Sequence, residues 1–135
     1  MTISYAIGLG ARNGVDAATL VELVKRVAED LRITLDEAAL FTTESKETEP
    51  GFQEAARQLG LTLTFLSLGS LKKRRGSSKT HSPRVQAMFG VGSVSEAAAL
   101  VGAGPGSRLL GPRQSTPMAA CAIAVAAEPI GEADA

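Results

Sequence analysis

Tryptophan is absent from this 135-residue chain, and tyrosine, histidine and cysteine occur once each. A single cysteine, Cys121, cannot close an internal disulfide, and together with one histidine, His81, it is too small a ligand set for an ordinary transition-metal site. Neither a metal nor a cofactor is expected. Net charge is lacking as well. Fourteen Lys and Arg balance fourteen Asp and Glu, so no global field draws the molecule onto nucleic acid or anionic lipid. Long apolar runs are also missing: the longest tempting one, Met118 to Ala127, is half of the ~20 residues a spanning helix needs. The N-terminus has no charged region followed by an apolar one, so a protein that is not exported, off the membrane and in the cytoplasm is expected.

What is present begins with "YAIGLGARNG", an apolar run broken by Gly8, Gly10 and Gly14. Ile3 to Ile7 reads as a buried strand and Asp16 onward as a helix, the setting of a phosphate-binding loop. The dinucleotide fingerprint, however, needs its third glycine where Asn13 stands, and the acidic residues about 20 positions on, Glu29 and Asp30, lie in the helix. No Gly-Lys-Ser/Thr follows either. The loop keeps two general properties: close backbone approach at glycine and anion attraction at a helix start, with Arg12 as a fixed positive fork. A plain tight turn with a solvated arginine fits these residues equally well.

The chain reads as one domain over residues 1–127. Asp16 caps a first helix whose buried face is Leu20, Val24, Val27 and Leu31. Thr34 and Glu37 have the form of a capping box ahead of a short turn, and Ala38 begins a second strand that ends near Thr43. Pro50 opens a helix to Leu59 that stops at Gly60, and Leu61 to Leu66 gives a third strand. Residues 72–84, "KKRRGSSKTHSPR", hold six of the fourteen basic residues and no acid, which predicts an exposed, mobile loop. The loop has no Phe, Tyr or Trp to stack on bases, and nucleic acid is not an expected partner. Ser82 and Pro83 start a short helix to Phe89. Ser93 with Glu96 makes another capping box, Gly102 and Gly104 close that helix, and strands follow at Ser107–Leu110 and Met118–Ala126. Residues 128–135 read as a frayed tail. Strands alternating with helices imply an α/β class: a three-layer α/β/α sandwich with a mixed, mostly parallel central sheet, its last two strands antiparallel neighbours.

"GLGARNG", "TTESKETEPGF", "GVGSVSEAAAL" and "AIAVA" occur in the order found in one cobalamin-biosynthesis family, and the chain resembles CobE and the C-terminal domain of CbiG over almost its whole length. The most specific pieces are Gly92-Ser93-Val94 with Glu96 and Ala97, and the trio Lys46, Glu49, Gly51. One departure is Ala11, which stands where the family often has a cysteine. The resemblance implies a stand-alone protein that binds a precorrin or corrin intermediate in the oxygen-dependent branch. Hydrolysis of a ring-A lactone, as in CbiG-type proteins, and delivery of the intermediate to a partner enzyme are the alternatives.

Such a ligand is apolar on its faces and edged with carboxylates, which call for arginine, lysine and helix N-termini, each charge-assisted bond worth roughly 1.5–3 kcal/mol. The expected binding residues are Gly8, Gly10, Arg12, Lys46, Gly92, Ser93 and Val94. Glu44 and Glu49 are the carboxylates available for acid or base work, each with a bland alternative as a solvated or helix-terminal acid. Glu96 is expected only to complete the cap at Ser93. Other cobalamin-pathway enzymes are candidate partners, and a homo-oligomer is compatible with the sequence.

Overall fold

The computed structural model describes residues 2–72 and 93–131. Its elements are β1 (Thr2–Ala11), α1 (Ala17–Asp30), β2 (Ala38–Thr43), α2 (Pro50–Leu59), β3 (Leu63–Leu66), α3 (Leu68–Lys72), α4 (Val94–Ala103), β4 (Arg108–Leu109), β5 (Gln114–Ser115) and β6 (Ala119–Gly131). The sheet order is β3-β2-β1-β6-β4, with β5 also paired to β6. β1, β2 and β3 are parallel, and β6 runs antiparallel to β1, β4 and β5. Five strands therefore share one direction and β6 alone opposes them, which is the mixed, mostly parallel sheet expected. The expected antiparallel pairing of the last strands is present too, Leu109 opposite Ala124.

Strand alternation builds two cores. Ile7, Leu9, Leu40, Cys121 and Ile123 face one side and pack with Leu20, Leu23, Val24 and Val27 of α1 and Phe52 and Ala55 of α2. Ala6, Ala122 and Ala124 face the other side, against Ala99, Leu100 and Ala103 of α4. Leu71 of α3 packs on that helix through Val94, Ala97 and Ala98. Helices thus cover both faces of the sheet.

The caps explain the helix limits. Asp16 Oδ1 accepts the Thr19 N–H at 2.8 Å, and hydrogen bonding with the Thr19 side chain first and this N–H second holds the Asp16 carboxyl below its ordinary range. At the other end of α1 the N–H groups of Arg32 and Ile33 return to the carbonyls of Glu29 and Ala28 at 3.1 and 3.0 Å, a Schellman closure. Arg32 takes the left-handed position with φ 57°, where a side chain is strained. Arg32→Gly is expected to raise the melting temperature by a few degrees, from about 1 kcal/mol of relieved strain; an unchanged or lower value in a thermal melt would contradict this.

Three readings need correction. β1 does not end at Ile7 but runs to Ala11, because β6 pairs with it along its length to Ala11 opposite Ala119, so Gly8 and Gly10 lie inside a strand. Their spacing resembles a loop only because glycine is common in turns. β6 in turn continues past Glu128, with Ile130 opposite Ile3 and Gly131 opposite Thr2, where a frayed tail is expected from the sequence. β3 begins at Leu63 rather than Leu61. The basic loop beyond Lys72, the helix at 82–89 and residues 132–135 lie outside the described residues.

Candidate functional site

β1 and β2 part company at their C-terminal ends. Their ladder closes with Gly8 opposite Phe41, after which β1 stays with β6 and β2 with β3. The buried Thr42 hydroxyl bridges the divergence by donating to the Leu9 carbonyl at 2.7 Å. Crevices of this kind, at the C-terminal strand ends of an open α/β sheet, are where such folds collect ligands. The loops that open α1 and α2 both start here, and the first turn of α4 arrives from the opposite face beside Gly10.

Two hydrogen bonds tie the loops together. Lys46 Nζ donates to Asn13 Oδ1 at 2.9 Å, and the Gly14 N–H donates to Glu49 Oε1 at 2.5 Å. Arg12 is held from the other side: its N–H donates to the Met118 carbonyl at 2.9 Å and its Nε to the Pro117 carbonyl at 3.0 Å. The two terminal guanidinium nitrogens of this exposed residue have no partner among the described residues. Arg12 and Lys46 are thus both fixed on loops at the same strand ends. Burial lowers the pKa of Lys46 below that of an ordinary lysine, against the opposing pull of Glu49. An anionic group beside Lys46 would relieve that cost.

Glu49 and Glu44 occupy different environments. Glu49 sits at the N-cap of α2 without capping it, because its carboxylate reaches across to Gly14 instead. Glu44 is exposed in a 3-10 turn, where its carbonyl accepts the Glu47 N–H. Gly8 is buried mid-strand, and a Cβ there would overlap the Ser95 carbonyl and come within 2.5 Å of the Ala99 nitrogen. Helix backbone fills the space a ligand would need, so the assignment of Gly8 to binding is corrected: it serves the packing of α4 on β1. Gly10, two residues on, is only half-buried and has room beside it. Ser93 is fully buried and caps α4 by accepting the Glu96 N–H at 3.3 Å, while the Val94 side chain is part of the core with Leu71. What Val94 can offer a ligand is its N–H. Gly92 lies outside the described residues.

The reading of Glu96 also changes. One arm of the capping box is present, but the fully buried Glu96 carboxylate accepts the Arg113 N–H at 3.0 Å. It therefore pins the β4–β5 connection to α4, a long-range role with no local sequence signal. Asn13 is a second residue that local reading passes over, since only the fold brings it to Lys46.

A shallow hollow of about 380 Å³ lies between the starts of α1 and α2, bordered by Gly14, Asp16, Glu49, Gly51 and Glu54. Its three acids all have partners in the chain: Asp16 at Thr19, Glu49 at Gly14, and Glu54 at Arg57 and Gln58, contacts that bring the Glu54 carboxyl down to about 2. A hollow bordered by acids repels a polycarboxylate. These acids also occupy the anion-attracting start of α1, which explains why the loop is not a phosphate cradle. Among the described residues no three His, Cys, Asp or Glu side chains converge on a metal position, and no helix is long and apolar enough to cross a membrane.

The mixed sheet with helices on both faces defines a small α/β domain. Residues 5–126 match the family model described as Cobalamin synthesis G C-terminus, and the chain belongs to that family of cobalamin-biosynthesis proteins. Among solved structures it is similar to CobE, a protein from the cobalamin (vitamin B12) biosynthetic pathway, at 31% identity and TM-score 0.84 over 92% of this chain and 90% of that one. It is also similar to the cobalamin biosynthesis protein ChiG from Agrobacterium tumefaciens str. C58, at 27% identity and TM-score 0.71 over 92% of this chain and 99% of the other. A cobalamin biosynthesis protein G homolog from Sulfolobus solfataricus shares the fold at 15% identity and TM-score 0.66, with 93% of this chain matching 38% of that one. A comparison with curated proteins returns no match.

Proposed function

We propose that this protein binds a precorrin or corrin intermediate through the ring's carboxylates, at the strand ends where Arg12 and Lys46 are held. The observation that carries the reading is the pair of loop-to-loop hydrogen bonds, Lys46 to Asn13 and Gly14 to Glu49, which fix a partly desolvated lysine at the crevice. Family membership supplies the ligand class, and the likeness to CobE over nine-tenths of both chains supports a role in the same pathway, on the resemblance its oxygen-dependent branch, in the cytoplasm. Binding is favoured over lactone hydrolysis because Glu49 is spent on Gly14 and Glu44 is exposed, so neither is set in a dry acid–base pair. Passing the bound pigment to a partner enzyme is the natural extension.

Hydrogenobyrinic acid should therefore raise the melting temperature, whereas ATP and NAD should not; at 100 times Kd a ligand adds about 2.7 kcal/mol. Lys46→Met keeps most of the stem, so stability should hold while affinity falls roughly tenfold. The pH dependence has a defined sign. Lys46 loses its proton at a lower pH than a free lysine, so affinity should decline as the pH rises toward 10.5, earlier than ordinary lysine titration predicts. In Lys46→Met that alkaline decline should vanish. Calorimetric titration across pH checks both statements; a nucleotide shift without a corrinoid shift would reject the reading.

A further inference from the structure

The first turn of α4 carries two backbone donors without an acceptor among the described residues. Ser93 Oγ takes the Glu96 N–H and the Ser93 carbonyl takes that of Ala97 at 3.0 Å, while the N–H groups of Val94 and Ser95 have no partner among the described residues. Both residues are buried, at 7% and 1% exposure. A buried N–H left unpaired costs about as much as a lost hydrogen bond, so folded proteins seldom keep one without use.

A second, separate orphan lies opposite. Thr43 is only 4% exposed, does not cap the turn that follows it, and its hydroxyl has no partner among the described residues. Its direction follows from alternation along β2. The Phe41 ring lies against Gly102 of α4, so Thr43, two residues on, looks toward the same helix. The register of Gly8 opposite Phe41, carried forward by the Thr42–Leu9 hydrogen bond, sets Thr43 level with Gly10. Gly10 in turn sets its bare Cα against this turn: a Cβ there would be in ordinary contact with Ser95 N and Val94 Cβ, both at 3.7 Å.

We infer that Gly10, Thr43 and the N–H groups of Val94 and Ser95 form an anion niche on the α4 face that receives one carboxylate. The helix dipole and two N–H groups suit a carboxylate oxygen, and the threonine hydroxyl suits its second oxygen. On the α1 side the carboxylates of Asp16 and Glu49 already stand at the helix start, on the Thr19 and Gly14 N–H groups, and repel an outside anion, which favours the α4 side. That this carboxylate belongs to a corrinoid rests on the function proposed above; the niche itself does not.

The test is amide-resolved NMR of the whole protein, titrated first with sodium acetate at constant ionic strength against chloride, then with hydrogenobyrinic acid. Acetate should move the Val94 and Ser95 amides saturably, and the shifts should disappear in Thr43→Val and Gly10→Ala. Both variants should remain folded, because the Thr43 hydroxyl bonds nothing among the described residues and the added methyl at Gly10 meets only ordinary contacts. Absence of a saturable acetate shift at both amides, or the same shift in both variants, overturns the niche. With the corrinoid, Gly10→Ala should lose roughly tenfold in affinity, the weight of one charge-assisted bond. Acetate shifts without corrinoid binding would uphold the niche and reject the corrinoid reading. Corrinoid binding that leaves these amides unmoved and Gly10→Ala undiminished would do the reverse.

Discussion

Gly8→Ala is expected to be the most damaging single-methyl change in the molecule. The new Cβ would overlap the Ser95 carbonyl and lie 2.5 Å from the Ala99 nitrogen, and both obstacles are helix backbone that no rotamer change can move. Relief requires α4 to lift from β1 and to open its contacts with Ala6, Ala122 and Ala124. Overpacking costs about 1–3 kcal/mol where side chains can yield, so a rigid contact belongs at or above the top of that range. A fall in melting temperature on the order of 10 °C is predicted. Gly10→Ala is the internal control, since its Cβ has 3.7 Å of clearance and should leave the melt nearly unchanged. If the two variants melt together, the close seating of α4 on Gly8 is wrong.

Glu96→Ala should be nearly as costly. It removes the acceptor of the Arg113 N–H from a fully buried position and leaves a void beside it. The unpaired donor and the cavity each cost about 1–3 kcal/mol, for a total of roughly 3–5 kcal/mol. Glu96→Gln keeps an acceptor oxygen of the same reach and should lose less than half as much. Denaturant titration gives the two stabilities, and hydrogen exchange at the Arg113 amide gives the mechanism: exchange there should quicken in the alanine variant ahead of the amides of β6. Equal exchange in wild type and Glu96→Ala would mean that the carboxylate does not hold this connection.

These two residues also mark where local reading stops. Asp16 and Ser93 announce their helices because a cap is a local event, settled by a side chain and an N–H three residues away; Pro50 announces its own because a proline suits the first helical turn, and the structure has a helix at all three signals. The length of β1 is not local. Gly8 and Gly10 carry turn propensity, and pairing with β6 more than 100 residues later, joined at Gly8 by β2, keeps them extended. The same partner draws Glu128 to Gly131 out of an apparent tail into the sheet. At the crevice, Arg12 and Lys46 were legible as cations in loops after strands. Their anchors Pro117 and Asn13 were not, because a carbonyl and a lone asparagine have no pattern of their own. Thr43 was visible only as the end of "LFTT". The available clue was alternation: the position after an inward Phe41 on the same face should be apolar or partnered, and Thr43 is polar with no partner among the described residues.

The central place of β6 has a consequence for the order in which this protein can assemble. β1, α1, β2, α2 and β3 are contiguous in the chain and pair through short connections, so that half can form early. The neighbour of β1 on its other side is the last described strand, with Gly8 waiting for Ala122. Closing so long a loop is entropically slow, and it must precede the docking of α4, which rests on both strands. During synthesis the segment from β1 to β3 therefore exposes an unpaired β1 edge until β6 leaves the ribosome, an interval in which that edge is open to wrong partners. A chain cut before Ala119 would remain in that state.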